Sequence, residues 1–428
     1  MSLPERQPAD QQSIRRHNLG LIARAVSAAP GSRAELAQRT GLTKATVSSL
    51  VDSLLAQGIL TEGEPATARV GRPARPVSLN PAGPVAVGLE INVDYLAGCR
   101  MDLTGAVQDR RLLAVDNRPR PAAEILRQLC ELAGELWPPG RSLLGVGLAV
   151  PGVVGASRQL LRAPNLPKLT GQPLAEQLGR LLADRLMVSN HSAERVSAAS
   201  PAEMPAAADM TAASPAAAEM TAASPEYPVL MDNEANLGAL GWLRGTTGRR
   251  DFVYVSGEIG IGAGLVVDGA LFRGTSGFAG ELGHVVVDRD GPPCGCGGRG
   301  CVEAYAGLQV LLGASGKPDL ASLSAAAASG DERAVAALTA AGSALGVGLA
   351  SLLNVVDLPA VVLGGSFASL FELISPALRV ELGRRVLSGA PVELARSSLG
   401  IEAAVRGAAG AVLDRALADP GALAGRPS

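Results

Sequence analysis

The sequence predicts an α/β protein of two or three domains that begins with a small helical module. The 428 residues exceed the size of one ordinary domain. From about Val85 onward, short β-branched runs that end in glycine alternate with helical patterns; examples are VAVGLEI, LLGVGLAV and AVVLGG. Before that point, apolar residues recur at helical spacing instead. We therefore expect a helical module over residues 1–80, an α/β unit over residues 84–420 and a tail at residues 421–428.

Three short amphipathic helices are expected between residues 14 and 62. The apolar face of the first is formed by Ile14, Leu19, Ile22 and Val26. Ser32 and Glu35 have capping-box spacing at the start of the second helix, and Gly41 ends it. Thr43 is the expected N-cap of the third helix. The buried face of that helix comprises Val47, Leu50, Val51 and Leu54.

The second and third helices, joined by TGL, have the proportions of a helix-turn-helix, and the segment after them looks like a β-hairpin wing. In a major-groove reader the first turns of the recognition helix contact base edges. The candidate residues there are Thr43, Lys44, Thr46 and Ser48. The wing carries arginines in a proline-stiffened stretch suited to a narrow minor groove. These are Arg69, Arg72 and Arg75.

An alternative interpretation of this module is a helical pair that docks another protein beside a solvated arginine loop. The polar helix face and the arginine wing occur together, which favours double-stranded operator DNA as the partner. The formal net charge of −2 decides nothing, because a neutral total can hide a small basic module.

Composition also bounds the compartment and the architecture. Five cysteines are too few and odd in number for a disulfide framework, which indicates a reducing environment. The N-terminus lacks the apolar core of a signal peptide. No uninterrupted apolar stretch of about twenty residues is apparent, so we expect a cytoplasmic protein that does not contact a membrane.

Residues 190–227 interrupt the α/β pattern with low-complexity sequence. Near-copies of (D/E)MTAASP repeat there, and the Ala/Ser/Pro composition shows no pattern that would bury one face. We expect a mobile surface insertion that carries no chemistry.

The segment GHVVVDRDGPPCGCGGRGCVE, residues 283–303, contains three of the five cysteines and one of the three histidines. One histidine and three cysteines complete the tetrahedral shell of a structural Zn²⁺. The expected ligands are His284, Cys294, Cys296 and Cys301. Intervening glycines allow the tight turns that direct the sulfurs inward. The alternative is a loop of buried thiols beside a core histidine; a catalytic thiol is disfavoured because no second histidine is near enough in sequence to act as base.

Together these segments resemble the ROK family, which groups bacterial sugar kinases with sugar-responsive transcriptional repressors. The similarity rests on GELGH…CGCGGRGCVE and, less specifically, on VPGVV, APNLPKLTGQPL, DNEANLGALG, GIGAGLVVDGALFRG and VVLGG. It implies a two-lobed, actin/hexokinase-like (ribonuclease H-like) fold with a sugar between the lobes. An N-terminal winged helix-turn-helix is the mark of the repressor branch.

The resemblance also implies a set of sugar-binding residues. These are Asn165, Asn233, Glu234, Glu281, His284 and Glu303. Carboxylates and amides are suitable partners for sugar hydroxyls, which both donate and accept hydrogen bonds. His284 would then connect the metal loop to the ligand. Without the family match, Asn233 and Asn236 would be interpreted as turn or cap residues.

Two functions from different classes follow from the resemblance: an ATP-dependent sugar kinase, or a DNA-binding sugar sensor without catalysis. In the stretch GLEINVDYL, Glu90 stands where kinases of the family have Asp, and Asp94 stands where a hydroxyl meets phosphate. A carboxylate there, with no lysine nearby, repels a triphosphate. Glu234 replaces the Asp that acts as base in the kinases. Glu258 and Ile259 occupy a second region that faces phosphate.

These departures favour a sensor that is not an enzyme: a sugar-responsive transcriptional regulator acting as a repressor. The NEAN variant resembles that of xylose regulators and points to a pentose. We expect a homodimer, with a tetramer as the alternative, that places two winged helices on a palindromic operator. A third interpretation, in which the ROK portion has lost its ligand and only dimerises, is disfavoured by the retained sugar-site residues.

Overall fold

The computed structural model describes residues 11–64, 75–197, 227–246 and 248–423. Of the sequence predictions, Arg69, Arg72, most of the low-complexity insertion and the end of the tail lie outside the described residues. The predicted α/β class is confirmed, with a helical unit first and two mixed sheets after it.

The N-terminal unit is a helix-turn-helix followed by a two-stranded sheet. Its elements are α1 (Gln11–Ala28), α2 (Arg33–Thr40), α3 (Lys44–Ala56), β1 (Leu60–Glu62) and β2 (Val77–Leu79). The predicted capping box between Ser32 and Glu35 is present, and Gly41 ends α2 with φ 71°. Strands β1 and β2 pair antiparallel as the base of a wing. Ile14 is 48% exposed and does not belong to the apolar face expected for it.

The first lobe is built on a five-stranded sheet in the order β5-β4-β3-β6-β9. Its strands are β3 (Val85–Ile91), β4 (Tyr95–Asp102), β5 (Val107–Ala114), β6 (Leu143–Val150) and β9 (Val229–Asn233). Also in this lobe are α4 (Ala122–Leu136), α5 (Leu174–Ser197), the hairpin β7 (Val153–Val154) and β8 (Leu160–Arg162), and a 3₁₀ turn at Pro167–Leu169. The first three strands are antiparallel, whereas β3, β6 and β9 are parallel.

The second lobe repeats this plan in the order β12-β11-β10-β13-β14. Its strands are β10 (Phe252–Gly257), β11 (Ile261–Val267), β12 (Ala270–Phe272), β13 (Ala360–Gly364) and β14 (Glu393–Arg396). Its helices are α6 (Glu234–Gly245), α7 (Glu303–Ala306), α8 (Leu308–Ser315), α9 (Leu320–Ala328), α10 (Glu332–Val356), α11 (Gly365–Ser369) and α12 (Phe371–Arg385). Short 3₁₀ turns lie at Leu282–His284, Gly400–Glu402 and Pro420–Leu423. The two sheets therefore share one strand order and one pattern of parallel and antiparallel pairing.

Helix α13 (Ala403–Ala418) connects the three parts of the molecule. Glycines on its neighbours permit backbone-to-backbone packing. A Cβ at Gly88 in β3 would lie 1.9 Å from Val405 O, and one at Gly241 in α6 would lie 2.3 Å from Ala403 O. A Cβ at Gly20 in α1 would lie 2.1 Å from Ala418 O. At each of these contacts the backbone of α13 lies directly against the backbone of its neighbour. Because such close packing cannot shift without a clash, α13 holds the winged helix against both lobes.

Two helices differ from the sequence predictions. Helix α5 continues to Ser197, so residues 190–197 of the predicted insertion are helical backbone; residues 198–226 lie outside the described part of the chain. Among the described residues, α10 is long and apolar enough to cross a membrane, although no such stretch was apparent in the sequence. Half of its apolar window is buried, and it contributes to the core of the second lobe together with α12, as a core helix of a globular domain does.

Candidate functional site

A cleft of about 620 Å³ lies between the two lobes. This volume falls in the range of small-molecule sites. All six predicted sugar-site residues line it, although they come from distant parts of the chain. Asn165 precedes a 3₁₀ turn, Asn233 and Glu234 lie where β9 meets α6, Glu281 and His284 lie at a second 3₁₀ turn, and Glu303 begins α7.

The side chain of Asn233 has a structural role as well as a place in the cleft. It is the N-cap of α6, and its Oδ1 accepts hydrogen bonds from Ala235 N (2.8 Å) and Asn236 N (3.3 Å). Its Nδ2 donates to Gly152 O (2.8 Å) and to Glu234 Oε2 (2.7 Å). Every polar atom of the amide is therefore engaged. Asn233 is therefore a helix cap, as its sequence context alone indicates, and its hydrogen bond orients Glu234.

Glu303 and Glu281 are carboxylates on the second-lobe side of the cleft. Glu303 Oε2 accepts from the backbone N–H of Ile261 at 3.0 Å, which fixes the carboxylate and leaves Oε1 for a ligand. Removal from bulk water raises the pKa of Glu281, and His284 partly opposes that shift. Carboxylates held in this way are strong acceptors for hydroxyl groups.

Glu234 lies beside two further acidic groups, Glu90 and Glu258. Burial raises the pKa of Glu90 and of Glu234 to about 8, and that of Glu258 to about 7; the neighbouring carboxylates add to the shifts. Tyr95 donates to Glu90 Oε1 at 3.1 Å, whereas the buried Glu90 Oε2 has no hydrogen-bond partner. The cavity that these residues line is about 10 Å³, the space of a single water molecule.

Asp94 requires a correction. The sequence interpretation treated it as an unbalanced charge aimed at phosphate. In the structure its side chain is 58% exposed and forms an ion pair with Arg118 at 2.7 Å. The carboxyl group buried in this turn is Glu90 instead, 2% exposed. Asp94 is therefore a paired surface residue, and it is Glu90 that is buried.

The four expected metal ligands form one cluster. One ligand atom from each of His284, Cys294, Cys296 and Cys301 lies within 4.8 Å of the others. Cys294 Sγ is 3.7 Å from His284 Nδ1, and Cys296 Sγ is 3.7 Å from Cys301 Sγ. With metal–ligand bonds of about 2.0–2.3 Å, adjacent corners of a tetrahedron are about 3.5–3.8 Å apart. The donor set and these distances fit a tetrahedral divalent ion. The Sγ–Sγ distance of 3.7 Å is far too long for a disulfide.

The candidate DNA-binding residues lie at the start of α3 and in the wing. Thr43 and Lys44 are exposed, and Thr46 and Ser48 are half-buried. Thr43 is the N-cap of α3, with its hydroxyl accepting from Thr46 N at 3.2 Å. Arg75 is exposed beside β2. Ser49, not selected from the sequence, is exposed on the same helix.

Some cleft residues were not selected from the sequence. Arg162, Asn236 and Phe278 all line the cavity. Asn236 donates to Asp232 Oδ1 at 3.1 Å, and its own buried Oδ1 has no partner. Asn236 had been considered only as a cap. Phe278 lies three residues before Glu281, a position that the motif around GELGH does not mark.

The fold and the cleft define a two-lobed, sugar-kinase-like protein with a winged helix at its N-terminus. A model described as ROK family matches residues 209–415, and one described as MarR family matches residues 20–69. The chain belongs to the ROK family.

Relatives match it over different lengths. The xylose repressor of Bacillus subtilis (strain 168) is 31% identical over 422 residues, covering 96% of this chain and 98% of the relative. The glucokinase of Thermotoga maritima is 30% identical over 210 residues, or 44% of this chain and 66% of the relative. A solved ROK-family transcriptional regulator, a homologue of the E. coli MLC protein, superposes with TM-score 0.70 at 21% identity, covering 95% of this chain and 97% of that one. The match to repressors spans both parts of the chain, whereas the match to the kinase is partial.

Proposed function

We propose that this protein is a sugar-responsive transcriptional repressor that binds a monosaccharide between its lobes without phosphorylating it. The observation that carries the proposal is the packing of α1, the first helix of the winged unit, against α13, which also contacts both lobes. A sugar that changes the relative position of the lobes can therefore act on the DNA-binding unit through this one helix. The full-length similarity to a xylose repressor supports the same assignment.

We assign the effector to the pentoses, with D-xylose as the first candidate. The ligand contacts proposed are Asn165, Glu281, His284 and Glu303. Glu234 and Asn233 complete the site, with Asn233 acting through its hydrogen bond to Glu234. A sugar that lacks one of the matching hydroxyl groups would leave a buried acceptor of the protein unpaired. This cost is the basis of selectivity in hydrogen-bonding sites.

The cysteine cluster holds Zn²⁺ in this proposal, and the ion has a structural role. His284, Cys294, Cys296 and Cys301 would occupy all four positions of a tetrahedral shell, so no position remains to activate water. The loop they close leads directly into Glu303 at the start of α7. Holding that loop fixes Glu303 and His284 where they face the cleft.

The kinase alternative is disfavoured by the acidic residues of the cleft. Phosphoryl transfer needs cations and backbone N–H groups around the phosphates. Glu234 and Glu258 line the cleft and, together with Glu90, a small cavity beside it, whose described lining residues include no lysine or arginine. Each of these carboxyl groups that is ionised would repel a triphosphate.

On DNA, we propose that a homodimer places two winged helices on two half-sites of a palindromic operator in the cytoplasm. Lys44, Thr46 and Ser48 would contact bases, and Arg75, with Arg69 and Arg72, would contact the minor groove. Thr43 contributes mainly as a cap. Domain boundaries at 1–80, 84–420 and 421–428 belong to this proposal.

Calorimetry with D-xylose, D-glucose and N-acetyl-D-mannosamine, paired with a coupled ADP-release assay on the same sugars, separates the alternatives. The proposal predicts one pentose bound per chain and ADP release at background. Release at an ordinary turnover would establish a kinase instead. No binding by any sugar would favour a ROK portion that only dimerises.

A further inference from the structure

The aromatic side chain of Phe278 lines the cleft but has no place among the proposed hydrogen bonds to the sugar. Only 3% of the chain is aromatic. Among the described aromatic residues, Phe272 and Phe278 are the most exposed, each at 50%. Phe278 lines the cleft, whereas Phe272 does not. A half-exposed phenyl ring beside a ligand cavity gains free energy when a ligand covers it.

Phe278 belongs to a segment that joins the two lobes. This segment, residues 273–280, is called the strap. Arg273 forms two hydrogen bonds to the buried Asp232 of the first lobe, at 2.9 and 2.6 Å. Ala156 N–H of the first lobe donates to Ser276 O at 3.1 Å. The strap is therefore anchored to the first lobe immediately before the aromatic residue.

The backbone on either side of Phe278 is fixed as well. Gly277 has φ 87°, and a Cβ there would lie 2.6 Å from Val154 O. Ala263 N–H donates to Gly280 O at 2.9 Å, and a Cβ at Gly280 would lie 1.9 Å from Ala263 O. Only glycine fits these close approaches. The backbone that carries Phe278 is thus held on both sides, so the ring projects from a fixed part of the chain beside the cleft.

We propose that Phe278 is a sugar-contacting residue whose ring packs against the C–H face of the bound monosaccharide; this inference rests on the proposed function. A pyranose has hydroxyls around its edge and C–H groups on its faces. The edge suits Glu281, which directly follows the strap and also lines the cleft. The C–H groups carry partial positive charge and suit the negative face of a phenyl ring. Leu161, 44% exposed, adds apolar surface to the same cleft.

The test compares Phe278→Ala with the matched control Phe272→Ala, which removes an equally exposed ring outside the cleft. Calorimetry with D-xylose on the full-length, zinc-loaded protein should show about tenfold weaker binding for Phe278→Ala and wild-type affinity for Phe272→Ala. Phe278→Tyr, which keeps the ring, should restore affinity to within about threefold.

A reporter variant keeps the inference testable if Phe278→Ala fails to fold. Phe278→Trp should show a change in tryptophan emission on adding D-xylose, whereas Phe272→Trp should respond no more than wild type, which has two tryptophans of its own. Wild-type affinity in Phe278→Ala, or a silent Phe278→Trp that still binds sugar, overturns the inference alone. If the wild-type protein binds none of D-xylose, D-glucose and N-acetyl-D-mannosamine, the proposed function fails, and this inference fails with it.

Discussion

Two adjoining cavities between the lobes differ in what they offer a ligand. The larger, of about 620 Å³, contains a fixed carboxylate at Glu303 and an aromatic ring at Phe278. The smaller is about 10 Å³ and is lined by Glu90, Glu234 and Glu258, of which the last two also line the larger cavity. The larger cavity therefore has room for a small molecule, whereas the smaller has room for a single water molecule.

The largest effect is expected from disrupting the His/Cys cluster proposed to hold Zn²⁺ next to the larger cavity. Cys301→Ala should remove bound zinc and weaken D-xylose binding about a hundredfold, because Glu303 and His284 lose their support. Zinc content and calorimetry measure both quantities. Cys130→Ala, a buried cysteine outside the cluster, should leave zinc at one ion per chain. DNA binding without sugar should survive in both variants, and equal sugar affinity with and without zinc would refute the support role.

A similar or smaller loss of D-xylose affinity is expected from Glu303→Gln. The amide oxygen can still accept from Ile261 N, so the fold is retained, but the charge that accepts sugar hydroxyls is removed. A hydrogen bond to a charged group contributes about 1.5–3 kcal/mol, which corresponds to roughly a 10- to 150-fold weaker binding. The exposed Glu372→Gln is the control. Unchanged D-xylose affinity in Glu303→Gln would remove this residue from the site.

The connection between the cleft and the DNA-binding unit should depend on Gly20. Gly20→Ala places a methyl group against Ala418 O and so separates α1 from α13. We expect sugar and DNA each to bind near their normal affinities, while the effect of D-xylose on DNA affinity falls from five- to 150-fold toward none. Gly313→Ala, in a helix with open space around it, is the control. A full sugar effect in Gly20→Ala would exclude this route.

The smallest effect on ligand binding is expected at the buried Glu90, where the measurable change is in the pH dependence of stability. The pKa of Glu90 is about 8 in the folded chain and 4.5 when unperturbed, so the folded state keeps a proton that the unfolded chain releases. The free energy of unfolding should therefore fall as pH rises from about 4.5 to about 8. Glu90→Gln should have a higher melting temperature than wild type at pH 8 and the same one near pH 4.5. If the melting temperatures of wild type and Glu90→Gln changed in parallel across that pH range, the raised pKa of Glu90 would be contradicted.

Local signals in the sequence predicted the features that depend on short spacing. The clustering of His284, Cys294, Cys296 and Cys301 and the capping box of Ser32 and Glu35 are set by loop geometry and backbone hydrogen bonds, both readable from nearby residues. The six residues predicted to bind sugar could be placed together only through the family motif, because they come from distant turns. Asp94 was misinterpreted, since its partner Arg118 lies twenty-four residues away.

The connection through α13 had no signal in the sequence. Its Ala- and Gly-rich face is typical of any tightly packed helix, and the glycines that receive it are spread from Gly20 to Gly241. Phe278 was missed for a related reason. A single phenylalanine between glycines is usually a core residue, and only its exposure beside the cleft distinguishes it.

The most direct test of the central claim is the DNA affinity of the full-length protein with and without sugar. Fluorescence anisotropy at fixed salt, on a duplex that the protein itself selects from a random-sequence library, gives the dissociation constant. We expect D-xylose to change that constant at least fivefold while added ATP is not consumed. A constant unaffected by any of the three sugars, together with sugar-dependent ADP release, would contradict the account.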